Sequence, residues 1–325
     1  MRVNAILLAL LLGALAMAVA LGETPLSLAQ YQSALADPAS PIREILLGIR
    51  APRAAAAALV GAALGLAGAV MQGLLRNPLA EPGVLGVSAW SACAAALVIA
   101  LGLGAAPGVL ELAALGGALA AGGVVAILAA RFRAPETLIL FGVALSALGG
   151  AVTALIFNLS PNPVTTAEVL SWLQGSVANR DWNDLGPALI PMALGAGLCV
   201  YAARGLRMLT LGEETAALSG LPMARLRVAA VAGAALLTGA SVEIAGVIGF
   251  VGLAAPHLVR GSVSDDPART LAPSALAGAV LLVLADLAAR VIPSEEELRL
   301  GVVTALFGAP FFALIAWRAS RSWRA

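Results

Sequence analysis

From Ala54 to Leu75 the chain runs for twenty-two residues without a charged side chain. Wound as an α-helix rising about 1.5 Å per residue, such a stretch crosses the roughly 30 Å hydrocarbon core of a bilayer. Lipid offers no water to bond the backbone, so a chain that enters it must satisfy its N–H and C=O groups within helices or a closed barrel. The two-residue alternation of a barrel strand is absent here. Similar runs recur along the chain, which is 61% hydrophobic and 11% charged with a mean hydropathy of +0.97, whereas soluble domains carry about 45–50% apolar residues. At about 20 residues per span, that content suffices for roughly ten helices. The sequence therefore predicts an all-α polytopic membrane protein with one transmembrane domain over residues 1–325.

Residues 4–22 make the first span. Ala18-Val19-Ala20 resembles a signal-peptidase site, so removal of this segment is an alternative, but the run is longer than the roughly 7–15 residue core of a signal peptide. Residues 23–53, with Arg43, Arg50 and Arg53, are placed outside. The second span, 54–75, holds the Gly61 and Gly65 pair that lets another helix approach closely. It stops at Arg76–Gly83, where Pro78 and Pro82 forbid a continuing helix and turn the chain at the inner face. Spans three and four, 84–104 and 109–130, are divided by Pro107-Gly108, and Arg131, Arg133, Pro135 and Glu136 mark the next inner turn. Span five, 137–157, leads to an outer loop, 158–186, whose Trp172 and Trp182 suit the headgroup belt and which holds a short helix near 167–173.

Span six, 187–203, precedes a polar segment at 204–227. Span seven follows at 228–246. Residues 247–259 are too few for a full crossing and are read as a span shortened by burial in protein. Span nine, 271–291, and span ten, 301–317, complete the set, and Arg318, Arg321 and Arg324 form an inner tail. This threading puts thirteen of nineteen arginines inside, as the positive-inside rule requires, with both termini cytoplasmic. Val60-Gly61-Ala62-Ala63-Leu64 is echoed by Ala232-Gly233-Ala234-Ala235-Leu236 in a span of opposite direction, the mark of an inverted repeat.

The segment 204–227 is an island of mixed charge between apolar runs. Glu213 and Glu214 fall in a first helical turn, where the dipole favours acids, and Gly220-Leu221-Pro222 stops the helix. Ala216, Ala217 and Leu218 are then available to a soluble partner at the inner face. The alternative is a solvated loop between two spans.

Several chemistries are excluded. The chain has no lysine, so it can build neither a Walker A phosphate loop nor a Schiff base. Its single histidine, His257, cannot make a zinc motif, and Cys93 and Cys199 lie alone in apolar runs as packing residues. No catalytic or metal-binding residue is assigned, and a net charge of +1 gives no reason to expect nucleic acid. Glu243 and Asp286 are acids within spans. Both lie near outer ends, where they reach interfacial water or pair locally, Asp286 with Arg290 one turn along. No span carries an acid at its centre, which weighs against the alternative of an ion- or proton-coupled secondary transporter.

Four long stretches carry a resemblance: RAPRAAAAALVGAALGLAGAVMQGLLRNPLAEPGVLGVSA at 50–89, LGEETAALSGLPMARLR at 211–227, GVIGFVGLAAPHLVR at 246–260, and LADLAARV with GVVTALFGAPFF within 284–312. In these the chain resembles the FecCD family, ten-span permease subunits of ABC importers for ferric siderophores, haem and cobalamin. The resemblance implies an ABC type II importer permease, not itself an enzyme, in the cytoplasmic membrane. It implies a homodimer with two cytoplasmic ATPase subunits, which carry ATP and Mg²⁺, and an external substrate-binding protein; no cofactor is implied for this chain.

By the same resemblance the ATPase-coupling helix falls on Gly212, Glu213, Ala216, Ala217, Leu218, Gly220 and Leu221. The cytoplasmic gate falls on Asn77, Leu79, Pro135 and Glu136, binding-protein docking on Arg50, Arg53 and Arg290, and the pathway lining on Ser146, Thr153, Thr304 and Phe307. Arg299 stands where the family usually has proline, and Glu243 where it has a small apolar residue. Without clustered Cys, His or Met a metal would travel as a chelate. Ferric siderophore ranks first on family frequency, with haem and cobalamin open.

Overall fold

The computed structural model describes residues 2–22, 24–104, 106, 108–132, 134–160, 162–263, 266–292 and 297–322, with the side chains of Pro135 and 315–322 not described. Pro107, Arg133, Pro161, Pro293 and Arg324 thus lie outside the described residues, as do the side chains of Arg318 and Arg321. The described residues form helices joined by turns. They are α1 (Arg2–Ala20), α2 (Leu28–Ala36), α3 (Pro41–Glu44), α4 (Ala51–Leu75), α5 (Val87–Ala100), α6 (Val109–Arg131), α7 (Pro135–Leu159), α8 (Pro163–Leu173), α9 (Trp182–Leu209), α10 (Glu213–Leu218), α11 (Met223–Ala245), α12 (Val251–Val263), α13 (Pro267–Val291) and α14 (Leu300–Ser322). A π-helical turn, Ile45–Arg50, joins α3 to α4 without a break.

Seven of these segments are long and apolar enough to cross a membrane unaided. The multi-pass reading holds, but α5 and α12 do not span alone. At 14 and 13 residues they are only about 20 Å long. Each follows a non-helical stretch, the 3₁₀ turn Pro82–Leu85 before α5 and residues 246–250 before α12. The predicted spans 84–104 and 247–259 therefore become half-helices reached through irregular backbone, which lipid forbids and surrounding protein allows. Span six is also corrected. The helix begins at Trp182 because Asp181 accepts the N–H groups of Asn183 and Asp184 while Asp184 accepts the N–H of Asp181, and Pro187 and Pro191 lie inside it.

The core sits on α4 and α11, whose small side chains are buried along most of their length. A Cβ on Gly61 would collide with the carbonyl of Gly278 on α13, and one on Gly278 with the carbonyl of Gly61, so the two backbones touch. The close approach expected of Gly61 and Gly65 is thus to α13. In the second half α11 packs in the same manner on α6, where a Cβ on Gly122 would strike Ala235. Taking α4–α7 and α11–α14 as the two repeats, the first helix of each rests on the third of the other, the exchange an inverted repeat produces. A second echo appears in the half-helix lead-ins, Gly83-Val84-Leu85-Gly86-Val87 against Gly249-Phe250-Val251-Gly252-Leu253.

Candidate functional site: inner coupling surface, gate turns and outer arginine cluster

The polar island folds as the short helix α10, set between glycines whose backbones an L side chain would strain. Gly212 has φ +98° and Gly220 φ +81°. Glu213 and Glu214 occupy its first turn. The availability expected of three residues is corrected for one: Ala216 is buried and anchors the helix, whereas Ala217 is exposed and Leu218 is 90% exposed. Leu221 packs partly against the core, and Gly220 is open. Beside α10 lies a cavity of about 860 Å³ lined by Glu213, Glu214, Ala217, Leu218 and Leu221 together with Arg76, Ala134, Met223 and Arg227.

The gate candidates adjoin that cavity. Arg76 adopts a left-handed conformation, φ 48°, to end α4, and Asn77 follows, its Oδ1 accepting the Leu79 N–H at 2.9 Å. This side-chain turn leaves Leu79 exposed. Ala134 precedes Pro135 and Glu136, which open α7. Both turns are thus represented in the cavity wall by their immediate neighbours, Arg76 and Ala134.

The outer arginines do come together, but not as free charge. Arg50 is 6% exposed and donates to the carbonyls of Val19, Ala20 and Thr24 at 3.4, 2.7 and 2.7 Å. Arg290 is buried and donates to Ala18 O at 3.1 Å, while its guanidinium lies 3.1 Å from Asp286. Arg53 bonds Asp286 at 2.8 Å and also pairs with Glu297. The local Asp286–Arg290 pair expected from sequence is present. The resemblance assigns these arginines to docking, and within the chain the end of α1 and two acids already hold them.

The four residues read as pathway lining do not make one wall. Ser146 turns toward Gly83 O and Val84 O, 3.4 Å from each, and borders a cavity of about 370 Å³. Thr153 is buried and bonds back to Gly149 O on its own helix. Thr304 and Phe307 line a separate apolar cavity of about 420 Å³ among α12, α13 and α14. His257 packs edge-on to Phe311 at 6.1 Å, as a packing residue would. Glu243 is corrected: it is buried rather than reaching interfacial water, and its Oε2 has no hydrogen-bond partner among the described residues. Arg299 receives N–H groups of Val302 and Val303 on its carbonyl, and the first N–H groups of α14 bond Gly175 O and Gln174 O. The outer start of α14 is therefore seated on the outer loop without the usual proline.

One residue that sequence reasoning passed over is Glu81. It faces the 370 Å³ cavity together with Ser88, Ser146 and Thr238 and with Ile248 and Gly249 of the second lead-in. Phe250 holds φ +67°. Glu81 thus sits where the lead-in of α5 meets the lead-in of α12, and the Gly-x-x-Gly echo of the two lead-ins was the signal that could have found the meeting point.

Residues 8–318 match the sequence profile of the FecCD transport family. The chain belongs to that family. Among its FecCD-type relatives, the chain is 41% identical over 286 residues to the ABC transporter permease protein YvrB of Bacillus subtilis (strain 168), covering 86% of this chain and 80% of that one. It is 41% identical over 278 residues to the vitamin B12 import system permease protein BtuC of Shigella flexneri, covering 84% and 83%. The cobalamin import system permease protein BtuC of Halobacterium salinarum is 40% identical over 271 residues, covering 83% and 72%. A solved inward-facing structure of a metal-chelate type ABC transporter superposes with a TM-score of 0.87 at 30% identity, over 98% of this chain and 99% of that one. This FecCD member is an ABC-type permease with the fold of that transporter, a multi-pass membrane protein rather than an enzyme.

Proposed function

We propose that the chain is the transmembrane subunit of an ATP-driven importer that moves a metal chelate inward across the cytoplasmic membrane as a homodimer. The observation that carries this reading is the placement of exposed Leu218, on a glycine-bounded helix, in the lining of one cavity with the neighbours of both gate turns. A soluble ATPase seated on α10 would press on that cavity, and Asn77, Leu79, Pro135 and Glu136 would move with its wall. ATP and Mg²⁺ belong to the ATPase. The termini and 204–227 are cytoplasmic on the arginine distribution.

An external binding protein docks on the outer face over Arg53 and Glu297, while buried Arg50 and Arg290 back that surface. The docked protein's acidic side chains would take the place of Glu297. Two relatives are named for vitamin B12 or cobalamin import, so cobalamin now ranks ahead of ferric siderophore and haem as substrate.

The test is reconstitution of the permease with its ATPase and binding protein in liposomes, scoring uptake of cobalamin, a ferric siderophore and haem. ATP-dependent uptake of cobalamin is expected. Uptake driven by an ion gradient in the permease alone would instead establish a secondary transporter.

A further inference from the structure

Arg227 sits on the fifth residue of α11, at the inner end of the most buried helix, and its side chain is only 7% exposed. A buried guanidinium needs acceptors, and here they come from two other elements. One N–H bonds Glu213 Oε2 at 2.8 Å, the carboxylate that opens α10. Another bonds the carbonyl of Phe132 at 3.1 Å, the residue that ends α6 just before the turn into α7. Phe132 also packs on Phe141 of α7, ring centroids 5.7 Å apart. Within the chain α10 rests mainly on α9, and it lines the 860 Å³ cavity together with Arg76 and Ala134, the neighbours of the gate turns.

We infer that Arg227 is the positioning residue that transmits displacement of α10 to the gate turn at Pro135 and Glu136. This rests on the importer reading above. A planar guanidinium presents donors in a fixed fork, so moving one acceptor turns the group against the other. An ammonium on a flexible stem holds one acceptor without fixing the second. The side chain therefore acts as a strut across the edge of the cavity. Push on Glu213 from the cytoplasmic side, and the Phe132 carbonyl, with α7 behind it, must shift or lose its bond. Arg76 and Ala134, lining the same cavity, give the moving wall room.

The experiment compares wild type, Arg227→Lys, Arg227→Ala and the double swap Arg227→Glu with Glu213→Arg, each assembled with its ATPase in liposomes. Substrate moved per ATP hydrolysed is measured, with ATPase co-purification and detergent melting as controls. Arg227→Lys should keep assembly and hydrolysis within about twofold while transport per ATP falls roughly tenfold, within the range of coupling changes produced by such substitutions. The double swap should restore the ion pair and not the transport, because a carboxylate cannot donate to the Phe132 carbonyl.

Wild-type transport per ATP in the lysine variant would overturn the inference, as would rescue by the double swap. If Arg227→Ala fails to fold, the lysine variant, which keeps charge and length, still decides. Failure of the wild-type chain to bind any ATPase would instead overturn the importer reading.

Discussion

Arg53 and Asp286, 233 residues apart in sequence, meet at 2.8 Å between α4 and α13. Asp286 is 2% exposed at its side chain and also pairs with Arg290, so one carboxylate serves two cations, buried Arg290 and partly buried Arg53. Removing it leaves both arginines short of a partner in a region they cannot easily leave. Breaking a buried pair from one side costs about 3–5 kcal/mol. Asp286→Asn should therefore lower unfolding stability by several kcal/mol, whereas Glu297→Gln, at the more exposed end of the cluster, should cost at most about 1 kcal/mol. Thermal unfolding in detergent checks both, and equal melting of the two variants would show that the cluster is not a structural clasp.

Leu218→Asp should leave the permease folded, because the side chain it replaces touches little of its own chain. It should cut ATPase association about tenfold or more, since a charge would be placed where an apolar anchor meets its partner. Co-purification of the ATPase and ATP-driven uptake measure this. Wild-type values for both would remove α10 from the coupling surface.

Asn77 shapes its turn by accepting the Leu79 N–H, and this leaves Leu79 projecting from the inner face. Leu79→Cys should crosslink between the two subunits of the dimer in at least one nucleotide state. Asn77→Ala should weaken that crosslink, since losing such a side-chain turn costs on the order of 1 kcal/mol. No crosslink in any state would take these residues out of the gate.

Acid should loosen the outer end of α9. The N–H groups of Asp184 and then Asn183 hold the Asp181 carboxyl below its ordinary value. A depressed folded-state value means that the cap stabilises fully above the unfolded aspartate value near 3.9 and is lost as pH falls below it. The protection factors of residues 182–186 against hydrogen exchange, taken relative to the intrinsic rate at each pH, should fall between pH 5 and pH 3, and Asp181→Asn, which caps without titrating, should abolish that fall. A loss of protection of the same size in the asparagine variant would assign the effect elsewhere.

How much of this was legible depended on what kind of signal each residue carried. Ala54–Leu75 announced a helix because charge is absent for its whole length, and Gly61 announced a close contact because nothing else fits against a backbone. The α10 helix was legible from its acids and glycines. The half-helices were less so: the lead-ins 82–86 and 246–250 are as apolar as a span, and hydropathy does not distinguish helix from irregular backbone sealed inside protein. The surroundings of the outer arginines were hidden for a different reason. Sequence shows that Arg50 and Arg290 are charged and near an outer end, but not that carbonyls from α1 will fold over them. Ala216 followed its neighbours by helical spacing, and only packing shows that it turns inward while Leu218 turns out.

The clasp on α1 also imposes a timetable. The carbonyls of Ala18 and Ala20 are bonded by Arg290 and Arg50, and Arg290 is synthesised 272 residues after Ala18. At about 5–20 residues per second, the first helix waits in the bilayer on the order of tens of seconds before that bond can form. Until then its outer end is held only by what the nascent chain has already delivered, Arg50 among it. α1 is thus made long before its last fastening arrives.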